Sequence, residues 1–327
     1  MGQERQLLTI LSDGRFHSGE ALAAQLGGVS RAAIWKGVRV LQTFGLEIHA
    51  VRGRGYRLAE PLELLAVEQI QAALTAAVRP WVAGIEVHER LDSTNTYLLN
   101  RAKDDLPGGW VCLAEYQSAG RGRRGRFWVS PFGANLYLSL LWRFSLEATL
   151  LSGLSLAVGV ALMRALTALG APELGLKWPN DVLWRRRKLA GVLLEFGGES
   201  SGPCHIVAGI GLNVAMPRYA EPAIDQPWID LRSIIGSERL SRNRLAAQLI
   251  SELVTVFIQF EQAGFAAFWK EWTRHDLARN QPVTLQLPTT TCSGIARGVD
   301  EAGALLLETT AGIRPFLGGE ISLRLNS

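Results

Sequence analysis

Cysteine is scarce in this chain and never clustered: Cys112, Cys204 and Cys292 stand far apart among 327 residues. An odd, dispersed set builds neither a disulfide framework nor a metal-ligand cluster. It fits a reducing compartment, so a cytoplasmic location is expected. The N-terminus lacks the charged-then-apolar pattern of a signal peptide. Long apolar runs are nearly missing too. The single candidate, Leu150–Leu169, is long enough for a bilayer but carries Arg164, Thr167 and several Gly and Ser. A helix buried in a protein core fits it better, and no membrane partner is expected. Two phosphate-binding signatures are also absent. No Gly-x4-Gly-Lys-Ser/Thr loop occurs, and Gly209-Ile210-Gly211-Leu212-Asn213 has too few glycines for a dinucleotide fingerprint. Any nucleotide chemistry must use another architecture.

What is present is the balance of a soluble globular protein, 48% hydrophobic and 20% charged, long enough for two or three domains. The net charge is only +4, but its placement is uneven. Residues 1–62 hold eight Lys and Arg against five Asp and Glu, most of the excess in about a fifth of the length. A small basic module on a near-neutral body points to a local anionic partner such as DNA.

That module reads helix, helix, turn, helix, hairpin. Arg5–Leu11 is apolar at Leu7, Leu8, Ile10 and Leu11 and stops at Asp13-Gly14. Ser18 is placed to cap a helix running to about Leu26, and Ser30 a third that ends at Gly45. On the third, Ile34, Val38 and Leu41 repeat at core spacing while Arg31, Trp35, Arg39 and Gln42 share another face. With the turn Leu26-Gly27-Gly28-Val29 before it, this is a helix-turn-helix pattern. Leu46–Ala50 and Tyr56–Leu58 alternate as paired strands, with a basic wing, Val51-Arg52-Gly53-Arg54-Gly55, between them. A plain helical domain with solvated arginines would read similarly.

Pro61 and the helical stretch after it resemble a connector. From Val67 to Asp276 strands and helices mix. Strands are expected at Ile85–Leu91, Trp110–Gln117, Asn135–Arg143 and His205–Val214, with a hairpin of Leu176–Trp184 and Leu189–Phe196. Helices are expected from Ser93, over Leu150–Leu169, and at Arg242–Gln262 and Phe265–Arg274. Strand-rich hairpins with helices on one side argue for an α+β sheet. The last fifty residues are short strands punctuated by Gly, the spacing of a small β-barrel.

Three segments carry chemistry. Gly120-Arg121-Gly122-Arg123-Arg124-Gly125-Arg126 puts four arginines among three glycines. Like charges and Gly disfavour a strand, so we expect a mobile loop that clamps an anion through arginine forks and backbone N–H groups. A nucleic-acid patch has the same composition; the position between two apolar strands favours a ligand lid. Lys177-Trp178-Pro179-Asn180-Asp181, followed by Arg187-Lys188-Leu189-Ala190-Gly191, offers cations and a carboxylate at one rim. That set suits phosphate oxygens and Mg²⁺, and equally an ordinary turn. Asp92-Ser93-Thr94-Asn95 at a helix start offers hydroxyl, amide and N–H groups to a small polar head group, or simply caps its helix.

Taken together, these segments closely resemble the bifunctional biotin–protein ligase and biotin-operon repressor family over essentially the whole chain. The likeness extends through Tyr116-Gln117-Ser118-Ala119, Ser130-Pro131-Phe132-Gly133-Ala134-Asn135, Gly209–Asn213 and Gly318-Gly319-Glu320-Ile321-Ser322-Leu323-Arg324. The resemblance implies a multidomain α+β protein. It has a winged helix-turn-helix over 1–62, an α+β ligase domain like class II synthetases over 67–276, and an SH3-like β-barrel over 277–327. It implies that Ser93, Thr94, Asn95, Gln117 and Lys188 surround biotin and that Arg121, Gly122 and Arg123 close over biotin and its adenylate. Lys177, Asn180, Asp181 and Asn213 would meet the nucleotide, Trp228 would stack on the adenine, and Asp181 would hold Mg²⁺. Lys188, Arg121 and Arg123 are the implied catalytic groups, and Arg31, Trp35, Arg39, Arg52 and Arg54 the implied DNA contacts. Implied partners are ATP, biotin, the biotin carboxyl carrier protein of acetyl-CoA carboxylase, operator DNA, and a second copy of the chain once adenylate is bound. The Gly27-Gly28 turn is one residue longer than that family's, and Trp35 and Gly37 stand where polar or bulkier readers are expected. A ligase whose winged helix no longer binds DNA is therefore the alternative.

Overall fold

The computed structural model describes residues 2–104, 106–197, 204–237, 240–318 and 321–325. At the N-terminus α1 (Gly2–Leu11), α2 (Gly19–Gln25) and α3 (Arg31–Thr43) precede the hairpin β1 (Ile48–Val51) and β2 (Gly55–Leu58). Ser18 and Ser30 cap as expected, accepting from Ala21 N and Ala33 N. Leu7, Leu11, Leu22, Ile34, Val38 and Leu41 form the core between the helices. Gly27 and Gly28 both sit at positive φ, +79° and +82°. This turn thus needs two consecutive left-handed residues, which glycine supplies without strain. Gly37 is no reader: it is buried on the α1 side, where a Cβ would come within 2.9 Å of Leu7. Its smallness lets the two helices close.

The stretch after Pro61 is not a free connector. Residues 62–66 run along the body, and α4 (Val67–Ala73) buries Ile70 in the main core. Glu63 accepts from Ser241 Oγ at 2.7 Å and from Asn243 Nδ2 at 2.9 Å. Arg242, itself buried, pairs with buried Glu115 at 2.7 Å and donates to Asn135 O. Each of these charges is compensated inside the fold, which is the condition for burying it.

The body is a seven-stranded sheet in the order β3 (Gly84–His88), β4 (Trp110–Ala114), β5 (Leu136–Phe144), β9 (Cys204–Leu212), β8 (Arg187–Gly197), β7 (Asp181–Trp184), β6 (Leu174–Lys177). Only the β3–β4 pair is parallel. The expected strand Leu176–Trp184 is two strands, broken at Trp178-Pro179-Asn180. α6 (Leu154–Ala168), α8 (Arg242–Ala263) and α9 (Ala266–Arg274), with α4, cover one face; the short α7 (Leu231–Ile235) precedes α8. α6 is the apolar run of the sequence, and its Arg164 forks onto Glu271 of α9 at 2.6 Å and 3.0 Å. Along α8, Leu249, Leu253 and Phe257 are fully buried, each contributing about 1.5–3 kcal/mol.

Helices on one side only is corrected by α5 (Thr94–Arg101), which lies on the opposite face. Its Leu98 packs with Cys112, Leu141 and Val207. Since side chains alternate along a strand, Ser139 of β5, Gly209 and Gly211 of β9, and Gly191 of β8 face the α5 side. That side holds the site.

The expected C-terminal barrel is built as a five-stranded antiparallel sheet. Its order is β13 (Gly312–Phe316), β12 (Leu305–Thr309), β11 (Thr291–Val299), β10 (Pro282–Gln286), β14 (Ser322–Leu325). Val283, Leu285, Leu305 and Leu323 continue the central core. Trp178 and Trp269 fasten the two by donating to Gly303 O and Val299 O. Gly319 and Glu320 of the last motif lie outside the described residues.

Candidate active site

The site begins where α5 meets the sheet. Ser93 takes the N-cap position, but its hydroxyl makes no capping bond, so capping does not account for it. Thr94 donates from N and Oγ1 to Gln117 Oε1, at 2.9 Å and 3.2 Å. Gln117 Nε2 donates to Ser130 Oγ at 3.1 Å, and Ser130 to Trp128 O. Ser139 Oγ, fully buried, lies 2.7 Å from Thr94 Oγ1 and 2.5 Å from Asn95 Oδ1. Asn95 Nδ2 reaches Glu195 Oε2 at 2.9 Å.

The Gly/Arg segment joins β4 to β5. It is a tight hairpin: Gly122 N donates to Arg126 O at 2.7 Å and Trp128 N to Gly120 O at 2.8 Å. Arg124 and Gly125, at φ +58° and +70°, make its tip. Arg121 forks onto Glu195, and Arg123 donates to Asn180 Oδ1 at 3.1 Å and Ile321 O at 3.0 Å. Trp128 lies across β8 and β9. A Cβ at Gly211 would come within 2.3 Å of its indole and one at Gly191 within 3.2 Å, so both glycines seat it. Lys188 Nζ is 5.3 Å from the indole centroid.

Opposite the hairpin, the split at Pro179 puts Lys177, Asp181 and Lys188 on three adjacent strands. Asp181 is 2.8 Å from Lys188 Nζ and 3.5 Å from Lys177 Nζ. Burial pushes the Asp181 carboxyl up, but the two ammoniums outweigh it and hold it below the ordinary range. Burial also holds Lys177 below the usual lysine range, with Asp181 opposing. The carboxylate thus lies between two cations, and its buried Oδ1 has no hydrogen-bond partner beyond the Lys188 ion pair. No group of three His, Cys, Asp or Glu able to hold a metal occurs among the described residues.

One cavity of about 420 Å³ joins these parts, a size that suits a small ligand. Ser93, Thr94, Asn95, Gln117, Arg121, Gly122, Arg123, Lys177, Asn180, Asp181 and Lys188 all line it. Asn213 does not: it is buried, and its amide is used by Ile229 O and Lys188 O. Trp228 is not in the wall either, although its backbone bridges to Lys188 and its neighbour Gln226 lines the cavity. Sequence reasoning missed Trp128, Ser139 and Glu195; Arg324 stood in the last motif without an assigned role, and it lines the cavity. Trp128 stands two residues after Arg126, the end of the arginine run, and the paired glycines 191 and 211 were the available signal for it. On the N-terminal module, Arg31, Arg39 and Arg52 are exposed and Trp35 is 58% exposed. Arg54 is folded over Phe16, 4.1 Å from its centroid. None of the described helices is long and apolar enough to cross a membrane.

Known proteins match in three segments. Residues 3–57 match an HTH domain, 87–213 the Biotin/lipoate A/B protein ligase family, and 280–324 the Biotin protein ligase C terminal domain. The chain is similar to the bifunctional ligase/repressor BirA of Escherichia coli (strain K12), 45% identical over 98% of this chain and 96% of that one. It is similar to a biotin--[acetyl-CoA-carboxylase] ligase of Paracoccus denitrificans, 34% identical over 71% of this chain and 97% of that one. Among solved structures, the biotin protein ligase from Aquifex aeolicus in complex with biotin and ATP matches with TM-score 0.62 and 28% identity. That match covers 75% of this chain and 100% of the Aquifex chain.

Proposed function

The chain belongs to the biotin/lipoate protein ligase family, among its bifunctional ligase/repressors, and from that premise we propose how its parts act. It is a biotin–protein ligase that binds biotin and ATP, and a repressor. We assign 1–62 to DNA binding, 67–276 to catalysis and 277–327 to a C-terminal barrel that closes the nucleotide end. The observation that carries the site assignment is the single cavity uniting Gln117, Thr94 and Asn95 with Lys177, Lys188 and the hairpin arginines.

Biotin's ring system is assigned to the α5 end, among Ser93, Thr94, Asn95, Gln117 and Trp128, and its carboxylate to Lys188. An oxygen of that carboxylate attacks the α-phosphorus of ATP; the new O–P bond replaces the bond to pyrophosphate, which leaves. The carboxylate is already a nucleophile, so no side-chain base is needed. The protein aligns the reactants, and Lys188, Lys177, Arg121 and Arg123 offset the charge. Trp228 is assigned to the adenine, brought in with the Gln226 segment. Mg²⁺ is taken to arrive with ATP, and no step is assigned to it. In the second step the neutral amine of a carrier-protein lysine attacks the acyl carbon, an amide forms and AMP departs. The hairpin excludes water between the steps. The acceptor is proposed to be the carboxyl carrier protein, in the cytoplasm where ATP and reduced thiols coexist. Operator DNA is assigned to Arg31, Trp35, Arg39, Arg52 and Arg54 of a homodimer. The test is to incubate the protein with biotin and Mg²⁺-ATP and seek biotinoyl-AMP by mass. Its absence ends the ligase reading.

A further inference from the structure

Glu195 has no part in the reaction as derived above, yet it sits where the lid meets the sheet. It lies on the site face of β8, two residues beyond Leu193, with its backbone registered against Val207 of β9. Its carboxylate is mostly covered. Oε1 pairs with Arg121 Nη2 at 2.8 Å, and Oε2 with Arg121 Nη1 at 3.1 Å. Oε2 also accepts from Asn95 Nδ2 at 2.9 Å. Beyond Glu195, the contact described for Arg121 is Thr96 Oγ1 at 3.4 Å.

From Glu195 a continuous polar chain runs back to both feet of the hairpin. Asn95 Oδ1 meets Ser139, Ser139 meets Thr94, and Thr94 meets Gln117 at the first foot. Gln117 meets Ser130 at the second, and Ser130 holds Trp128 O. One carboxylate on a fixed strand therefore grips the lid's leading arginine and orients an amide in the ligand wall. A two-toothed guanidinium–carboxylate pair fixes direction as well as distance, which a single hydrogen bond does not.

We propose that Glu195 is a positioning residue that clamps the Gly/Arg lid shut over the adenylate by holding Arg121 against β8. The inference rests on the ligase reading of this cavity. Glu195 touches no reacting atom; it acts through Arg121 on retention and through Asn95 on biotin binding. Two substitutions separate these arms. Glu195→Gln keeps an oxygen for Asn95 but sets an amide N–H against the Arg121 donors. Glu195→Ala removes both contacts.

The experiment forms adenylate on the full-length protein from biotin, radiolabelled ATP and Mg²⁺, isolates the complex, and follows release into excess unlabelled adenylate. Biotin KM and thermal melting are measured alongside. Glu195→Gln should release adenylate about tenfold faster, as for a partly exposed charge-assisted pair, with biotin KM and melting unchanged. Glu195→Ala should show faster release and a raised biotin KM. Wild-type retention by folded Glu195→Gln overturns the clamp. Equal loss of retention and of melting temperature in both variants also overturns it, in favour of a purely structural role. Should Glu195→Gln not fold, Arg121→Lys gives the same reading, because a lysine cannot bridge both oxygens; normal retention there likewise overturns it. Failure of the underlying ligase reading looks different: no adenylate forms on the wild type.

Discussion

At the scale of single residues, the least legible feature of the sequence is how charges compensate one another. Lys177, Asp181 and Lys188 were visible as rim groups, but only the fold puts the carboxylate between both ammoniums. If Lys188 neutralises charge between biotin's carboxylate and the α-phosphate, Lys188→Ala should lower the adenylation rate by roughly 10²–10³. Lys177 still faces Asp181 in that variant, so the carboxylate is not left alone and melting should fall only modestly. Near-normal pyrophosphate release by the purified variant would remove Lys188 from the mechanism. Asp276 shows the opposite situation. Its Oδ2 is sealed from water without a partner where β6 meets the C-terminal sheet, and burial pushes its pKa up to about 6. A carboxyl with a raised folded pKa stabilises fully below its unfolded value and loses that contribution as pH rises through the folded one. The window is therefore about pH 4 to 6, with stability falling upward. Asp276→Asn should raise the melting temperature at pH 7.5 by a few degrees, and not at pH 4. A gain of equal size at both pH values would mean that Asp276 does not titrate in this way.

At the scale of elements, local signals read well and faces did not. The serine caps of α2 and α3, the wing and the Lys-Trp-Pro-Asn-Asp turn follow from neighbouring residues alone, and the structure holds them. The placement of α5 across the sheet has no local signature, because an amphipathic helix carries the same 3.6-residue period on either face. The function of Gly191 and Gly211 was hidden for a related reason. A strand glycine signals close approach, but not by what; here it is the Trp128 indole. This pairing makes a double-substitution test. Gly211→Ala should drive the indole out of its seat and weaken biotin binding about tenfold, the scale of overpacking a filled site. In a Trp128→Ala background the same substitution should cost little further, since the clash is gone. Additive losses would show that Gly211 matters for the strand and not for the indole.

At the scale of the whole molecule, the basic excess of residues 1–62 and the site motifs pointed to separate segments, and residues 3–57, 87–213 and 280–324 match separate family models; the coupling between segments was not legible. Among the described residues, β7 pairs with β8 only as far as Gly191, so beyond Val192 the outer edge of β8 has no strand partner. Glu195 and the 51%-exposed Phe196 lie on that stretch, and Phe127 of the hairpin is 82% exposed. Closing the hairpin over adenylate therefore changes the surface beside an open sheet edge, which suits pairing with a second copy. Two linked winged helices reading two half-sites gain roughly 10²–10⁴ in avidity over one. Adenylate formation is thus expected to promote dimerisation and tighten operator binding by shifting that population. Phe196→Asp should keep the protein monomeric and weaken DNA binding while adenylation proceeds. Arg52→Ala should weaken all DNA sequences alike and reduce the salt slope by about one. Arg54→Ala should do less, because its guanidinium already rests on Phe16. Sedimentation and DNA titration, each with and without biotin and ATP, decide the matter. Equal affinity for the upstream operator region in both states means that the switch is absent, and the two-glycine turn and Trp35 on α3 are then the first places to look.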